Sequence, residues 1–139
     1  RIKEVLDAEI DIVNSSETAE VKVQGRVQFE NVNFRYSTQT DGDDILNNIS
    51  FTAEPGQIIG IVGGTGCGKS SLVSLIPRLY DVTGGRVLVD DVDVRDYDIE
   101  ELRALTGVVL QNNTLFTGTI KENIRWGKKD AYDEEIISA

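Results

Sequence analysis

The sequence predicts an α/β fold made of a partial parallel sheet with flanking helices and an N-terminal antiparallel β subdomain. Residues 57–62 form a short apolar run that is typical of a fully buried strand. A glycine-rich loop and a helix with regularly spaced apolar residues, 70–76, follow this run. Before it, segments 26–36 and 45–53 alternate apolar and polar residues, as strands with one solvated face do. Two such strands ahead of a buried one predict an antiparallel sheet beside a parallel core.

The apolar residues of the first predicted strand change phase at Glu30-Asn31. Because a slip of one residue turns every following side chain to the other face, we expect a β-bulge there. The second strand places Ile45, Ile49, Phe51 and Ala53 on one face. We expect turns on either side of it, at 37–44 with its Asp-Gly pair and at Glu54-Pro55-Gly56.

Further elements follow the glycine-rich loop. Pro77 should kink or end the first helix, because proline lacks the N–H that continues a helix. Gly107–Gln111 is a short apolar run that predicts another strand, ended by a glutamine. The remaining predictions are a turn at Thr83-Gly84-Gly85, a strand at Arg86–Val89, and helices with capping-box spacing at Asp98/Glu101 and Thr119/Glu122.

The pair Asp90-Asp91 follows an apolar strand, as does the Walker B aspartate that holds Mg²⁺ in P-loop enzymes. Only three apolar residues precede it, however, and the alternation resumes out of phase at Val92 and Val94. This pattern favours a strand that turns at Asp90-Asp91 over a buried parallel strand. We therefore interpret the pair as a turn and not as a metal site.

The glycine-rich loop carries the strongest functional signal. Its residues are Gly63-Gly64-Thr65-Gly66-Cys67-Gly68-Lys69-Ser70-Ser71, which fit G-x-x-x-x-G-K-[ST], the phosphate-binding P-loop. Glycines let the backbone curl so that successive N–H groups point at phosphate oxygens. Lys69 is placed to reach the outer phosphates, and the Ser70 hydroxyl to complete the ligand shell of Mg²⁺. The sequence thus predicts a nucleotide-binding site.

Composition narrows the class of protein. The 139 residues suit one domain, and 14 basic against 24 acidic residues give a net charge of −10, which argues against nucleic acid as a partner. No apolar run is long enough to span a bilayer. A single cysteine excludes an internal disulfide, and the lack of histidine excludes any mechanism that needs one in this chain. Because the sequence contains no methionine, we expect it to be a piece of a longer polypeptide.

Three segments resemble the nucleotide-binding domains of ABC transporters of the exporter type. They are VQFENVNFRY (27–36), GIVGGTGCGKSSLVSLIPRLYDVTGGRVLVDDVDVRDYD (60–98) and VVLQNNTLFTGTIKENI (108–124). The resemblance implies that Tyr36 stacks on adenine, and that Gln111 is the Q-loop residue that reaches Mg²⁺ and the attacking water. It also implies a connector helix and linker from a membrane domain at 1–24, and the N-terminal part of the ATP-binding domain at 25–139.

The same resemblance implies the cofactors and partners of the parent protein. These are ATP and Mg²⁺, a second ATPase domain in a homo- or heterodimer, and a transmembrane domain that sets the ATPase at the cytoplasmic face of a membrane. The family's signature motif, true Walker B strand with its catalytic glutamate, and switch histidine lie downstream of the glutamine, and the sequence to Ala139 contains none of them. The fold is thus expected to be truncated before Walker B, with half of a composite ATP site.

Three functional hypotheses follow. The chain is part of an exporter ATPase that couples ATP hydrolysis to transport; or it is a module that alone binds nucleotide weakly and turns nothing over; or it belongs to another P-loop enzyme, such as a GTPase or a small-molecule kinase. We favour the second for the isolated chain, because a general base for water is missing. No N-K-x-D guanine-reading pattern supports a GTPase.

Two further expectations concern the isolated chain. Cys67 stands where the family more often has serine, and we expect it to be an alkylation-sensitive thiol that nucleotide shields. The predicted central strand would have an unpaired apolar edge, so we expect self-association or marginal stability.

Overall fold

The computed structural model describes residues 11–15, 24–36, 44–109 and 114–139. Most of the predicted connector helix and linker at 1–24, most of the predicted turn at 37–44, and Gln111 lie outside the described residues. The chain divides into two compact units, 1–107 and 108–139. Unit 1 holds the strands β1 (Val27–Phe34), β2 (Leu46–Ala53), β3 (Gly84–Val89) and β4 (Val92–Asp93) and the helices α1 (Lys69–Leu75) and α2 (Ile99–Ala104); unit 2 holds α3 (Ile120–Arg125) and α4 (Asp133–Ser138).

The four strands form one antiparallel sheet in the order β2-β1-β3-β4. The strand β1 lies between β2 and β3, and Phe29 is paired with Phe51 on one side and Val87 on the other. The rings of Phe29 and Phe51 stack at 4.7 Å. The predicted antiparallel subdomain is therefore confirmed, with an additional hairpin formed by β3 and β4.

The predicted bulge is confirmed. The register of β1 against β2 shifts between Phe29 and Val32, and Asn31 has a φ of 50°. Opposite the bulge, Gly85 has a φ of 73°, and a Cβ there would overlap the carbonyl oxygens of Glu30 and Asn31. A second irregularity lies at Asn48 of β2, also at positive φ.

The irregularity at Asn48 corrects one prediction. It shifts the register of β2, so Leu46 is the buried residue at the start of the strand, while the predicted Ile45 is only partly buried. Leu46 pairs with Phe34 and joins a core that also takes Leu72 and Leu75 from α1 and Leu102 from α2. The two helices are thus fixed to the sheet through apolar contacts.

The predicted buried strand at 57–62 is wrong for this structure. The segment has no strand assignment, and Ile58 and Val62 are 96% and 94% exposed. An apolar segment becomes a buried strand only when other strands pair with it and helices cover it. No strand of the described residues pairs with this segment, so the parallel part of the predicted fold class is not found within those ranges. Residues 107–109, the described part of the other predicted apolar strand, are likewise exposed and without strand structure.

The local signals for the turn at Glu54-Pro55-Gly56 and for the helix ends agree with the structure. Gly56 has a φ of 75°, and the N–H of Gln57 donates to the carbonyl of Glu54 over 3.0 Å, which closes the predicted turn. The helix α1 ends at Leu75, before Pro77. Asp98 caps α2, and Thr119 and Glu122 form the reciprocal capping box of α3. The strand β3 begins at Gly84, two residues earlier than expected, so the predicted turn at Thr83-Gly84-Gly85 is wrong for its two glycines, which lie in the strand.

Asp90 and Asp91 form the turn of the β3–β4 hairpin, as predicted. Their φ values are 47° and 67°, which short polar side chains tolerate. The Asp90 carboxylate accepts backbone N–H bonds from Gln24 (2.7 Å), Gly25 (3.1 Å) and Arg26 (3.0 Å). The Arg26 guanidinium forms an ion pair with Asp91. These carboxylates tie the chain before β1 to the hairpin.

Burial alone would raise the pKa of Asp90, but the N–H groups of Arg26, Gly25 and Gln24 and the Arg26 charge lower it below its ordinary value. The stabilisation is therefore complete above the unfolded pKa of about 3.9 and is lost as the pH falls through the lower, folded pKa. We expect Asp90→Asn to lower the free energy of unfolding by about 1 kcal/mol at pH 7. The difference from wild type should stay constant down to about pH 5 and shrink below about pH 4.

Urea unfolding across this pH range measures both effects. Asp91→Asn, in the same turn, is the matched control and should cost less, because an exposed ion pair contributes about 0–1 kcal/mol. Equal stability of Asp90→Asn and wild type at pH 7, or a difference that does not change with pH, would contradict the assigned role of the carboxylate.

Candidate functional site

The P-loop, residues 63–71, runs directly into the helix α1. Gly66 and Gly68 have φ values of 82° and 86°, in the left-handed region that glycine adopts without strain. Gly68 is the N-cap of α1, and its carbonyl accepts the N–H of Leu72 over 2.8 Å. Since glycine has no side chain to cap the helix, the first N–H groups of α1 are not taken by the capping residue.

The P-loop contacts the antiparallel sheet at Gly68. A Cβ on Gly68 would lie 2.9 Å from Leu46 Cδ2, 3.0 Å from Ile45 Cγ2 and 3.2 Å from the Ile45 carbonyl oxygen. The backbone of the loop therefore lies so close to the start of β2 that a larger residue at position 68 would require Ile45 or Leu46 to shift. By contrast, a Cβ on Gly66 would have no neighbour within 4 Å.

Lys69 folds its side chain back over the loop. Its Nζ donates to the carbonyl oxygens of Gly63 at 2.9 Å and Gly64 at 2.6 Å, and it lies 3.6 Å from Cys67 Sγ. All three hydrogen bonds are exposed to solvent. The ammonium group is thus held at the mouth of the loop by neutral acceptors, which an anionic ligand can replace with stronger, charge-assisted hydrogen bonds.

Tyr36 lies beside the P-loop. Its hydroxyl and Ser71 Oγ are 2.9 Å apart, and its ring lies at 81° to the rings of Phe34 and Tyr80, with both centroid distances 5.0 Å. Tyr36, Ile45 and residues 66–71 line one cavity of about 260 Å³, which we call the P-loop cleft. The structure therefore brings Tyr36 together with the lysine and the two serines of the P-loop, which belong to a different segment of the sequence.

The remaining predicted site residues lie within the P-loop or outside the described residues. Gly63 and Gly64 enter the site through the carbonyl oxygens that hold Lys69, and Thr65 lies exposed in the turn before Gly66. Cys67 is exposed and free. That alkylation of its thiol is blocked by nucleotide remains a prediction. Gln111 lies outside the described residues, and its role also remains a prediction.

Two residues of the site were not found from the sequence. Ile45 was expected to be an apolar residue of the strand face, but it lines the P-loop cleft. Tyr80 contacts the ring of Tyr36 and is 42% exposed. It lies beyond Pro77, where no periodic pattern continues, so no local signal indicated its place beside Tyr36.

The residues of the cleft could hold Mg²⁺ only if bound phosphate supplied further ligands. In the described parts of the chain, no group of three or more His, Cys, Asp or Glu side chains is placed to hold a metal ion. The Ser70 hydroxyl lines the cleft. Mg²⁺ keeps several waters and is often bound through substrate phosphates, so one hydroxyl is a suitable protein ligand there.

The described residues include no helix that combines the length and the apolar character needed to cross a membrane.

Residues 46–139 match the sequence model of the ABC transporter family. The chain is 45% identical, over all of its length, to the Uncharacterized ABC transporter ATP-binding protein YfiB of Bacillus subtilis (strain 168), of which it covers 24%. It is 50% identical over 115 residues, 83% of this chain, to the mitochondrial iron-sulfur clusters transporter atm1 of Aspergillus fumigatus, of which it covers 15%.

A solved structure of a bacterial Atm1-family ABC exporter with ATP bound matches with a TM-score of 0.88 and 34% identity, over 97% of this chain and 24% of that one. The chain therefore spans about a quarter or less of these proteins. It belongs to the ABC transporter family, as an exporter-type ATP-binding domain sequence.

Proposed function

We propose that this chain forms the nucleotide-binding part of an ABC exporter ATPase, which in the intact transporter couples Mg-ATP binding and hydrolysis to export. One observation carries the proposal. The P-loop cleft is lined at once by the Tyr36 ring and by the loop that holds the Lys69 ammonium. A nucleotide has a flat base and a chain of phosphates, and the cleft offers a suitable group for each. The ATP-bound Atm1-family exporter supports the same assignment by its likeness to this chain.

The P-loop residues bind the phosphates in this proposal. Backbone N–H groups of 63–71 surround the phosphate oxygens, and Lys69 exchanges its two carbonyl acceptors for the outer phosphates. Lys69 then holds positive charge where negative charge develops on the transferring phosphoryl group. Ser70 supplies a hydroxyl ligand to Mg²⁺, which when bound neutralises charge on the phosphates.

Two other residues are proposed to contact the adenine base and the attacking water. Tyr36 offers its ring for stacking on adenine, a contact that tolerates any base because every base has a flat π surface. Gln111 is proposed to reach Mg²⁺ and to orient the attacking water, as the family resemblance implies. Of these two assignments, the contacts described above support the one for Tyr36.

Hydrolysis is proposed to need residues from outside the P-loop cleft. Tyr36, Ile45 and residues 66–71 line the cleft, and none of them is a carboxylate that could act as a general base for water. A second ATPase domain, identical or different, and a transmembrane domain reached through residues 1–24 are the proposed partners, with 25–139 at the cytoplasmic face of the membrane. Alone, the chain should bind nucleotide and not turn it over.

A different class of P-loop enzyme is disfavoured. The ABC transporter match extends from residue 46 to residue 139, well beyond the P-loop itself. A GTPase or a small-molecule kinase would share the loop and not the rest of this segment.

Calorimetric titration of the 139-residue chain with Mg-ATP tests the proposal. We expect saturable binding without release of phosphate, and we expect Lys69→Ala to weaken it about tenfold or more, since a charged hydrogen bond contributes about 1.5–3 kcal/mol. Lys129→Ala removes the same charge from unit 2 and should bind as wild type does. Hydrogen exchange should show protection of residues 63–71 when ATP is added.

Two results would refute this assignment. One is the absence of binding at millimolar Mg-ATP by a chain whose circular dichroism shows that it is folded. The other is equal affinity of wild type and Lys69→Ala, because binding would then occur at another place.

A further inference from the structure

The hydroxyl groups of Tyr36 and Ser71 share a hydrogen bond of 2.9 Å, across 35 positions of the sequence. Either oxygen can be the donor. Ser71 lies in the first turn of α1 and is buried, at 6% exposure. Tyr36 lies two residues after the end of β1. The bond therefore joins the sheet side of the P-loop cleft to the helix that carries the phosphate-binding loop.

Two neighbouring aromatic rings also contact the ring of Tyr36. Phe34, which is almost completely buried, and Tyr80 both meet it at perpendicular interplanar angles. Edge-to-face pairs at this separation are attractive, by about 0.5–1.5 kcal/mol beyond the area that they bury. Neighbouring rings restrict the swing of the Tyr36 ring, and the bond to Ser71 fixes its hydroxyl end.

We infer that Ser71 is a positioning residue for base recognition, which acts by holding Tyr36 in place through the hydroxyl–hydroxyl bond. A ring that is already oriented loses less conformational freedom when a base stacks on it, so more of the contact energy appears as affinity. The inference rests on the proposed nucleotide site and goes beyond it. The hydrogen bond between Tyr36 and Ser71 would then raise the affinity for ligands that contain a base over that for phosphates alone.

The competing role for Ser71 is direct contact with phosphate. Its hydroxyl lines the same cleft as Lys69 and Ser70. Inorganic tripolyphosphate separates the two roles, because it carries the phosphates of ATP without a base. Loss of a positioning residue should weaken ATP and leave tripolyphosphate unchanged, whereas loss of a phosphate ligand should weaken both.

The bond itself is tested without any ligand. Tyr36→Phe removes only the hydroxyl from the ring, and Ser71→Ala removes only the hydroxyl from the helix. Because Ser71 is buried, Tyr36→Phe leaves its hydroxyl without this partner. Ser71→Ala removes the partner of the Tyr36 hydroxyl, and the double variant removes both hydroxyls. We expect the stability losses of the two single variants to sum to more than the loss of the double variant in urea unfolding.

The effect on recognition is tested with the same variants in the full chain. We expect Tyr36→Phe and Ser71→Ala each to weaken Mg-ATP about three- to tenfold, the range of one neutral hydrogen bond. The double variant should be no weaker than the weaker single variant. Because Ser71→Ala keeps the backbone N–H of residue 71, tripolyphosphate affinity should change less than about twofold in all three. Ser71→Thr keeps a hydroxyl and should restore most of the ATP affinity.

The outcomes separate this inference from the proposed function. Additive stability losses, or equal weakening of ATP and tripolyphosphate, overturn the positioning role while the nucleotide site stands. Unchanged ATP affinity in both single variants overturns it as well. If wild type binds neither ATP nor tripolyphosphate, the proposed function fails and the inference fails with it.

Discussion

The close approach of Gly68 to the start of β2 is the constraint on which the site depends. Ile45 donates its N–H to the carbonyl of Phe34 over 2.8 Å, and Leu46 is the register partner of Phe34. Gly68 lies against both, because it has no Cβ to hold them away. A second contact joins the same elements. Ser71 of α1 shares a hydrogen bond with Tyr36, which lies two residues after Phe34. The sheet thereby fixes both the phosphate-binding loop and the aromatic ring.

This arrangement explains how the residues of the proposed nucleotide site are held together without the parallel sheet that we expected. The antiparallel sheet supports the P-loop from the side of β2, and the core takes Leu72 and Leu75 from α1. The apolar run that leads into the loop, 57–62, remains exposed. The loop therefore packs against the sheet at its helical end, whereas residues 57–62, which lead into it, pair with no strand of the described residues.

The sequence predicted the features that depend on neighbours along the chain. The P-loop follows from its motif, the bulge from a change of phase, the Asp90-Asp91 turn from its short polar side chains, and the caps of α2 and α3 from their spacing. Apart from the antiparallel pairing of the first two strands, the features that depend on distant partners were missed or wrong. The burial of 57–62 needed strands that no local pattern supplies, Leu46 replaced Ile45 because of an unforeseen irregularity at Asn48, and the contacts of Tyr36 with Ser71 and Tyr80 join segments that share no periodic signal.

The central claim is that contact at Gly68, and not merely its backbone conformation, joins the P-loop to the sheet. Comparison of Gly68→Ala with Gly66→Ala tests it, because the two positions have similar positive φ but only Gly68 has close neighbours. Both should lose about 1 kcal/mol or more to backbone strain. In urea unfolding, we predict an additional loss of about 1–3 kcal/mol for Gly68→Ala, from the overlap with Ile45 and Leu46. Equal losses for the two variants would contradict the claim.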